Sequence, residues 1–178
     1  MTRHIALLRG INLGARNRIG MQPLRESLTA AGYADVRSHL QSGNIVLTSG
    51  AQPAELAAAM RQHLSNVFSL DVDVVVRTRD ELAGIVARDP FGDLADDPKR
   101  YQVSLLATEP DPRGAEEVTA ADISPERVVF SGREIYAWHP GGIQRSKLAA
   151  MLTPKRLGTV VTARNWNTIT TLLSMADG

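Results

Sequence analysis

The chain has 178 residues, 43% of them apolar and 22% charged, with a formal net charge of +1 at pH 7. These values suit one folded domain or two small coupled ones, and they exclude a fibrous or disordered chain and a surface that coats nucleic acid generally. The absence of cysteine removes disulfides, thiol nucleophiles and cysteine-based metal centres.

No run of about 18 apolar residues is present to span a bilayer. The start, Met-Thr-Arg-His, lacks a signal peptide's apolar core, so a cytoplasmic protein with no membrane partner is expected. The histidines His4, His39, His63 and His139 show no HExxH spacing, and no metal site is expected.

Residues 4–8 read as a buried strand. A glycine-rich loop, residues 10–20, runs into a helix whose apolar positions Met21, Leu24, Leu28 and Ala31 recur at helical spacing and stop at Gly32. Residues 36–40 alternate, Gln41-Ser-Gly-Asn44 turns the chain, and residues 45–48 complete a hairpin. Pro53 opens a second helix with Leu56, Met60, Leu64 and Val67 on one stripe, and Val72, Val74 and Val76 alternate as a fourth strand. Thr78 with Glu81 forms a capping box for a connecting helix, followed by an acidic, proline-bearing linker over residues 89–99.

The order then recurs. Tyr101, Val103 and Leu105 alternate, residues 112–118 form a short helix, and residues 127–130 and 135–138 flank a Ser131-Gly132 turn. Residues 144–152 read as a helix, 159–162 as a strand, and Ile169, Leu172 and Leu173 as the stripe of a closing helix. The fold class is therefore α+β, two tandem ferredoxin-like (β-α-β-β-α-β) subdomains with antiparallel sheets, a connecting helix and a C-terminal helix. The expected division is 1–78, 79–99 and 100–178.

This topology brings the 10–20 loop to the same sheet end as the 41–44 turn, and the loop after His139 to the same end as residues 163–168. The first group offers Arg9, Gly10, Asn12, Arg16, Arg18, Ser42, Gly43 and Asn44, and the second Lys147, Arg164, Asn165 and Asn167. Glycines let backbone N–H groups approach a ligand, arginines offer forked donors, and Asn and Ser add short polar tips, a set suited to phosphate. Turn formation and ion pairing are the alternative uses of the same residues. The loop contains neither GxxxxGK[ST] nor GxGxxG, which disfavours the Walker and Rossmann mechanisms.

Tyr136 and Trp138 share a strand face, as base-stacking residues do in RNA-recognition modules, but residues 45–48 supply no aromatic counterpart, and packing is the expected role. His139 with Ser146 could supply a base and a nucleophile, as could His39 with Ser42, although neither spacing provides the orienting acid of a triad.

Leu7-Leu-Arg-Gly-Ile-Asn-Leu-Gly14, Met21-Gln-Pro-Leu24, Gln41-Ser-Gly-Asn44, Ser146-Lys147 and Arg164-Asn-Trp-Asn-Thr168 together resemble the DUF1697 family of uncharacterised bacterial proteins, over nearly the whole chain. The resemblance implies the duplicated ferredoxin-like fold and, at Leu13-Gly-Ala15, a departure from a second loop glycine. It assigns no reaction and no cofactor.

The functional expectation is a phosphate-bearing small molecule or nucleotide bound in a cleft between the halves by Arg9, Gly10, Asn12, Ser42, Gly43, Asn44, Lys147, Arg164, Asn165 and Asn167. The alternative is a nucleic-acid-binding or protein-interaction module using the same basic loops.

Overall fold

The structure, a computed structural model, describes residues Met1–Gly178. It divides into two compact units, Met1–Gly84 with Leu172–Gly178, and Ile85–Thr171. No helix is long and apolar enough to cross a membrane.

In the first unit the elements run β1 (Thr2–Leu8), α1 (Met21–Ala30), β2 (Ala34–His39), β3 (Asn44–Ser49), α2 (Pro53–Phe68) and β4 (Val74–Thr78). The strands form an antiparallel sheet ordered β2-β3-β1-β4, so each helix carries the chain past one intervening strand. One core joins Ala6, Leu8, Ile45, Leu47, Val74 and Val76 of the sheet to Leu24 and Leu28 of α1 and Leu56, Met60 and Leu64 of α2. Burying this apolar area is what stabilises a sheet with helices on one face.

Two expected stripe positions fall outside that core. Ala31 caps the end of α1 and is exposed. Val67 is 52% exposed, because the four-residue spacing of Leu56, Met60 and Leu64 continues through Phe68, which does pack on the core. A neighbouring residue on a helix is turned by about 100°.

The helix α3 (Arg79–Arg88) opens on the expected capping box. Thr78 Oγ1 accepts from the Glu81 amide at 3.1 Å, and Glu81 Oε2 accepts from the Thr78 amide at 2.8 Å. In the segment that follows, Asp89 accepts from Tyr101 Oη at 2.9 Å and a 3-10 turn forms at Gly92–Leu94.

The second unit repeats the plan with β5 (Tyr101–Leu106), α4 (Pro112–Ala120), β6 (Arg127–Ser131), β7 (Glu134–Trp138), α5 (Lys147–Met151), α6 (Pro154–Leu157) and β8 (Val161–Asn165). Its antiparallel sheet has the order β6-β7-β5-β8, the same permutation as the first. Leu106, Ile135, Leu157 and Val161 pack together beside Val118, Ala137 and Leu148.

The opposite sheet face carries Tyr101, Val103, Tyr136 and Trp138, all buried. Tyr136 Oη donates to Ile85 O at 2.9 Å, and Tyr101 stacks on Trp166 with ring centroids 4.5 Å apart. These aromatics are packing residues, and burial raises the pKa of both tyrosines. The last helix, α7 (Trp166–Asp177), begins in this unit and ends in the first.

Strand ends shift by about two residues at β1, β2 and β4, the last of which begins at Val74 and leaves Val72 outside it, and two further boundaries move because of a single side chain. The helix expected over 144–152 is interrupted, since Ile143–Arg145 forms a 3-10 turn and Ser146 is extended at φ −75° and ψ 122°. Ser146 Oγ accepts from the Ala149 amide at 2.8 Å, so the helix restarts after it. The strand expected at 159–162 begins at Val161, because Thr159 Oγ1 instead accepts from the Thr108 amide at 3.1 Å and closes the approach to the sheet.

Candidate functional site: two basic loop groups

In the first unit, the end of β1 and the start of β3 lie at one sheet end, with Leu7 and His39 both opposite Asn44. The 10–20 loop and the 40–43 turn therefore meet there, and Asn12 ties them. Its Nδ2 donates to Gln41 O at 2.7 Å and to Ile19 O at 3.0 Å, while its Oδ1 accepts from the Ile19 amide at 2.9 Å. Asn12 also takes a left-handed φ of 54°, which asparagine tolerates better than most residues. Asn17 Nδ2 donates to Gly10 O at 3.3 Å and Arg18 Nε to Gly14 O at 2.8 Å, so the loop is bound to itself along its length.

Gly43 explains why the turn holds glycine. Its φ is 80°, and a Cβ there would stand 2.7 Å from both Leu8 Cβ and Ile11 Cδ1. Its carbonyl accepts from the Leu8 amide at 2.9 Å. Buried Asn44 donates to His39 O and to Ser42 Oγ, each at 2.9 Å. Asn12 and Asn44 thus shape the edge from within, and their side-chain amides are engaged in the loop.

The charged side chains of the loop itself are all cations. Arg9 stands 3.9 Å from Asp73, an aspartate that Arg61 approaches at 3.5 Å. Arg16 and Arg18 are exposed, and residues 9–20 contain no carboxylate. Helix α1 begins at the end of this loop with Gly20 as its cap, without a side-chain cap bond and without an acid in its first turn. Pro23 removes one N–H there, and no side chain caps those of Met21 and Gln22 at the positive end of the helix.

In the second unit the register brings Trp138 opposite Tyr101 and Asn165 opposite Gln102, so the ends of β7 and β8 share a sheet end. Asn165 Oδ1 accepts from the Thr168 amide at 2.9 Å and thereby caps α7, which engages its side chain locally. Arg164 donates to Thr162 Oγ1 at 2.8 Å and Ala163 O at 2.9 Å. Burial lowers its pKa to about 10, so it remains cationic at neutral pH. Asn167 is exposed in the first turn of α7. Lys147 Nζ donates to Asp122 O at 2.7 Å and, with Arg145, Gly141, Gly142 and Glu126, lines a hollow of about 230 Å³.

Beside that hollow lies a cluster whose acid the sequence reading missed. His139 Nδ1 is 2.8 Å from Ser146 Oγ and 3.1 Å from Glu126 Oε1. Glu126 Oε2 accepts from the Leu148 amide at 2.9 Å. Burial opposes ionisation of Glu126, but hydrogen bonds from Ser146, the Leu148 amide and His139 outweigh it and hold the carboxyl below the usual range.

The residues are those of a triad, but the wiring is not. Acid and hydroxyl meet the same ring nitrogen, whereas nucleophilic activation requires one on each. The other nitrogen, Nε2, is buried without a partner. Together Glu126 and Ser146 instead receive the first amides of α5.

A second hollow, of about 390 Å³, is lined by Arg113, Glu117, Lys155 and Arg156 among others and contains none of the expected site residues. Its acids are engaged: Asp111 caps α4, accepting from the Arg113 amide at 2.8 Å, and Glu117 pairs with Arg156 at 3.3 Å. No group of three or more His, Asp or Glu side chains is gathered to hold a metal ion.

The duplicated antiparallel plan and the loop motifs at its sheet ends define a class of α+β protein. The chain belongs to the DUF1697 family, proteins of unknown function, whose profile matches residues 1–136. The resemblance is established for that span, short of the whole chain. A structure of a conserved bacterial protein from Streptococcus pneumoniae is similar with a TM-score of 0.76 at 21% identity, over 98% of each chain, which supports the fold. No curated protein matches the chain.

Proposed function

We propose that the protein binds a small phosphate-bearing anion through its basic loops. In the first unit Arg9, Arg16 and Arg18 supply charge, and the exposed backbone at Gly10 and the Ser42 hydroxyl supply short donors, while Asn12, Gly43 and Asn44 hold the loop in shape. Lys147, Arg164 and Asn167, with Asn165 as the positioning cap, form the corresponding basic group of the second unit.

One observation carries the reading: a self-bonded loop with three arginines and no carboxylate of its own runs into a helix start that has neither a side-chain cap bond nor an acid in its first turn. Such a start favours negative charge. The net charge of +1 and the burial of Tyr136 and Trp138 favour a small anion over an extended nucleic-acid surface.

Thermal shift with inorganic phosphate, sugar phosphates, nucleotides and short oligonucleotides tests it. A phosphate compound should raise Tm with modest salt dependence, and the rise should fall in Arg16→Ala/Arg18→Ala and in Lys147→Ala. Failure of every anion to shift Tm overturns the reading. Preferential, steeply salt-dependent oligonucleotide binding would replace it with the nucleic-acid alternative.

A further inference from the structure

Two leucines stand among the arginines of the first loop group. Leu13 is 73% exposed and Leu40 59% exposed. A single exposed leucine is ordinary, but these adjoin the two residues joined by the Asn12–Gln41 bond, one on each loop. Leu40 also has a φ of 58°, a left-handed backbone that glycine or asparagine adopts more cheaply than leucine. Neither burial nor backbone preference accounts for leucine there, and a strained residue held by its surroundings points towards use.

Along the two loops charge has one sign, the acid nearest to Arg9 being Asp73, 3.9 Å away and outside both segments. Residues 9–20 and 36–44 contain Arg9, Arg16, Arg18 and Arg37 and no Asp or Glu. They also contain no Phe, Tyr or Trp, so no aromatic ring is offered to a purine or pyrimidine. A phosphate meets the cations, but a polar sugar or a base leaves both leucines in water, whereas an aliphatic chain covers them.

We infer that the anion is a phosphate ester carrying an aliphatic chain, its phosphate on the loop arginines and its chain across Leu13 and Leu40. This rests on the anion-binding reading and narrows it. Both loops are tied before binding, since Asn12, Asn17 and Arg18 bond the first to itself and Asn12 holds Gln41, next to Leu40, in the second, so little ordering opposes association. Each methylene covered is worth roughly fourfold in affinity.

The test compares inorganic phosphate, AMP and octyl phosphate below its micellar concentration by calorimetry. The wild type, Leu13→Ser and Leu40→Asn are used, with vesicles of phosphatidylcholine with and without phosphatidic acid. Octyl phosphate should bind at least about tenfold tighter than inorganic phosphate or AMP, the contribution of roughly two methylenes. Both variants should lose that advantage and keep the affinity for inorganic phosphate. Leu40→Asn relaxes the backbone and should fold at least as stably as the wild type, so lost binding there is not lost folding.

Sedimentation with phosphatidic acid vesicles would assign the ester to a bilayer, and octyl phosphate binding without vesicle binding would assign it to a soluble ester; both support the inference. Equal affinity for octyl and inorganic phosphate, tighter binding of AMP, or an undiminished octyl preference in Leu40→Asn overturns it while leaving anion binding intact. Absence of binding by any phosphate overturns both.

Discussion

Gly43 and Asn12 between them define the loop edge, and they differ in how readable they are. A Ser-Gly-Asn run between alternating segments announces a turn whatever the rest of the chain does. That Asn12 bonds Gln41, in the other loop, has no local signal, because the partner is a backbone carbonyl that any residue could supply. For the same reason Glu126 escapes a sequence reading: its contact with His139 depends on how β6 and the segment after β7 are packed, and no motif spacing encodes it.

His4 carries the clearest pH dependence. It is 1% exposed, and neither ring nitrogen has a hydrogen-bond partner. Burial lowers its pKa below the ordinary 6.5, against smaller raising effects of the Ser49 backbone and the Glu81 carboxylate. Its folded value is the lower one, so on acidification the unfolded chain takes up the proton first. Its effect on stability is therefore complete above about pH 6.5 and is lost as pH falls below that value, by at most about 1.4 kcal/mol per pH unit. Denaturant midpoints measured from pH 5 to 8 should show this slope in the wild type and a flatter one in His4→Leu. An equal slope in both would assign the proton uptake to another group.

At the scale of elements, periodicity reached most helices and strands because their apolar faces repeat with the right period. It failed where a single side chain redirects the backbone: Ser146 ends one turn and begins a helix, and Thr159 delays β8. Gly114 was equally silent, a glycine inside a short helix with no visible purpose. In the fold it is the point where α4 meets α6, since a Cβ there would lie 1.9 Å from Arg156 O. The opposing atom is backbone, so no side chain can swing away, and the Asp111 amide bond to Leu157 O at 2.8 Å holds the two segments together. Gly114→Ala should destabilise the protein by about 2 kcal/mol, even though alanine is the better helix former by about 1 kcal/mol. Chemical denaturation checks this, and a neutral or stabilising result would mean that α6 yields.

For the molecule as a whole, the duplication was legible because the same order of elements appears twice, and the two sheets share one strand permutation. Which residues complete each unit was not legible, because a helix pattern does not name the sheet it will join. Leu172–Gly178 is grouped with the first unit, at the far end of the sequence from most of it. Leu172 is fully buried and Ala176 is 6% exposed, while Asp177 bonds Arg79 Nε at 2.7 Å. The exposed ion pair contributes little, so the buried leucine dominates. Truncation after Thr171 should therefore loosen the first unit, with amide exchange quickening in β1 and β4, and Leu172→Ala should reproduce the effect at a cost of roughly 2–5 kcal/mol. Exchange that quickens only within Ile85–Thr171 would show that the C-terminal turns of α7 serve the second unit alone.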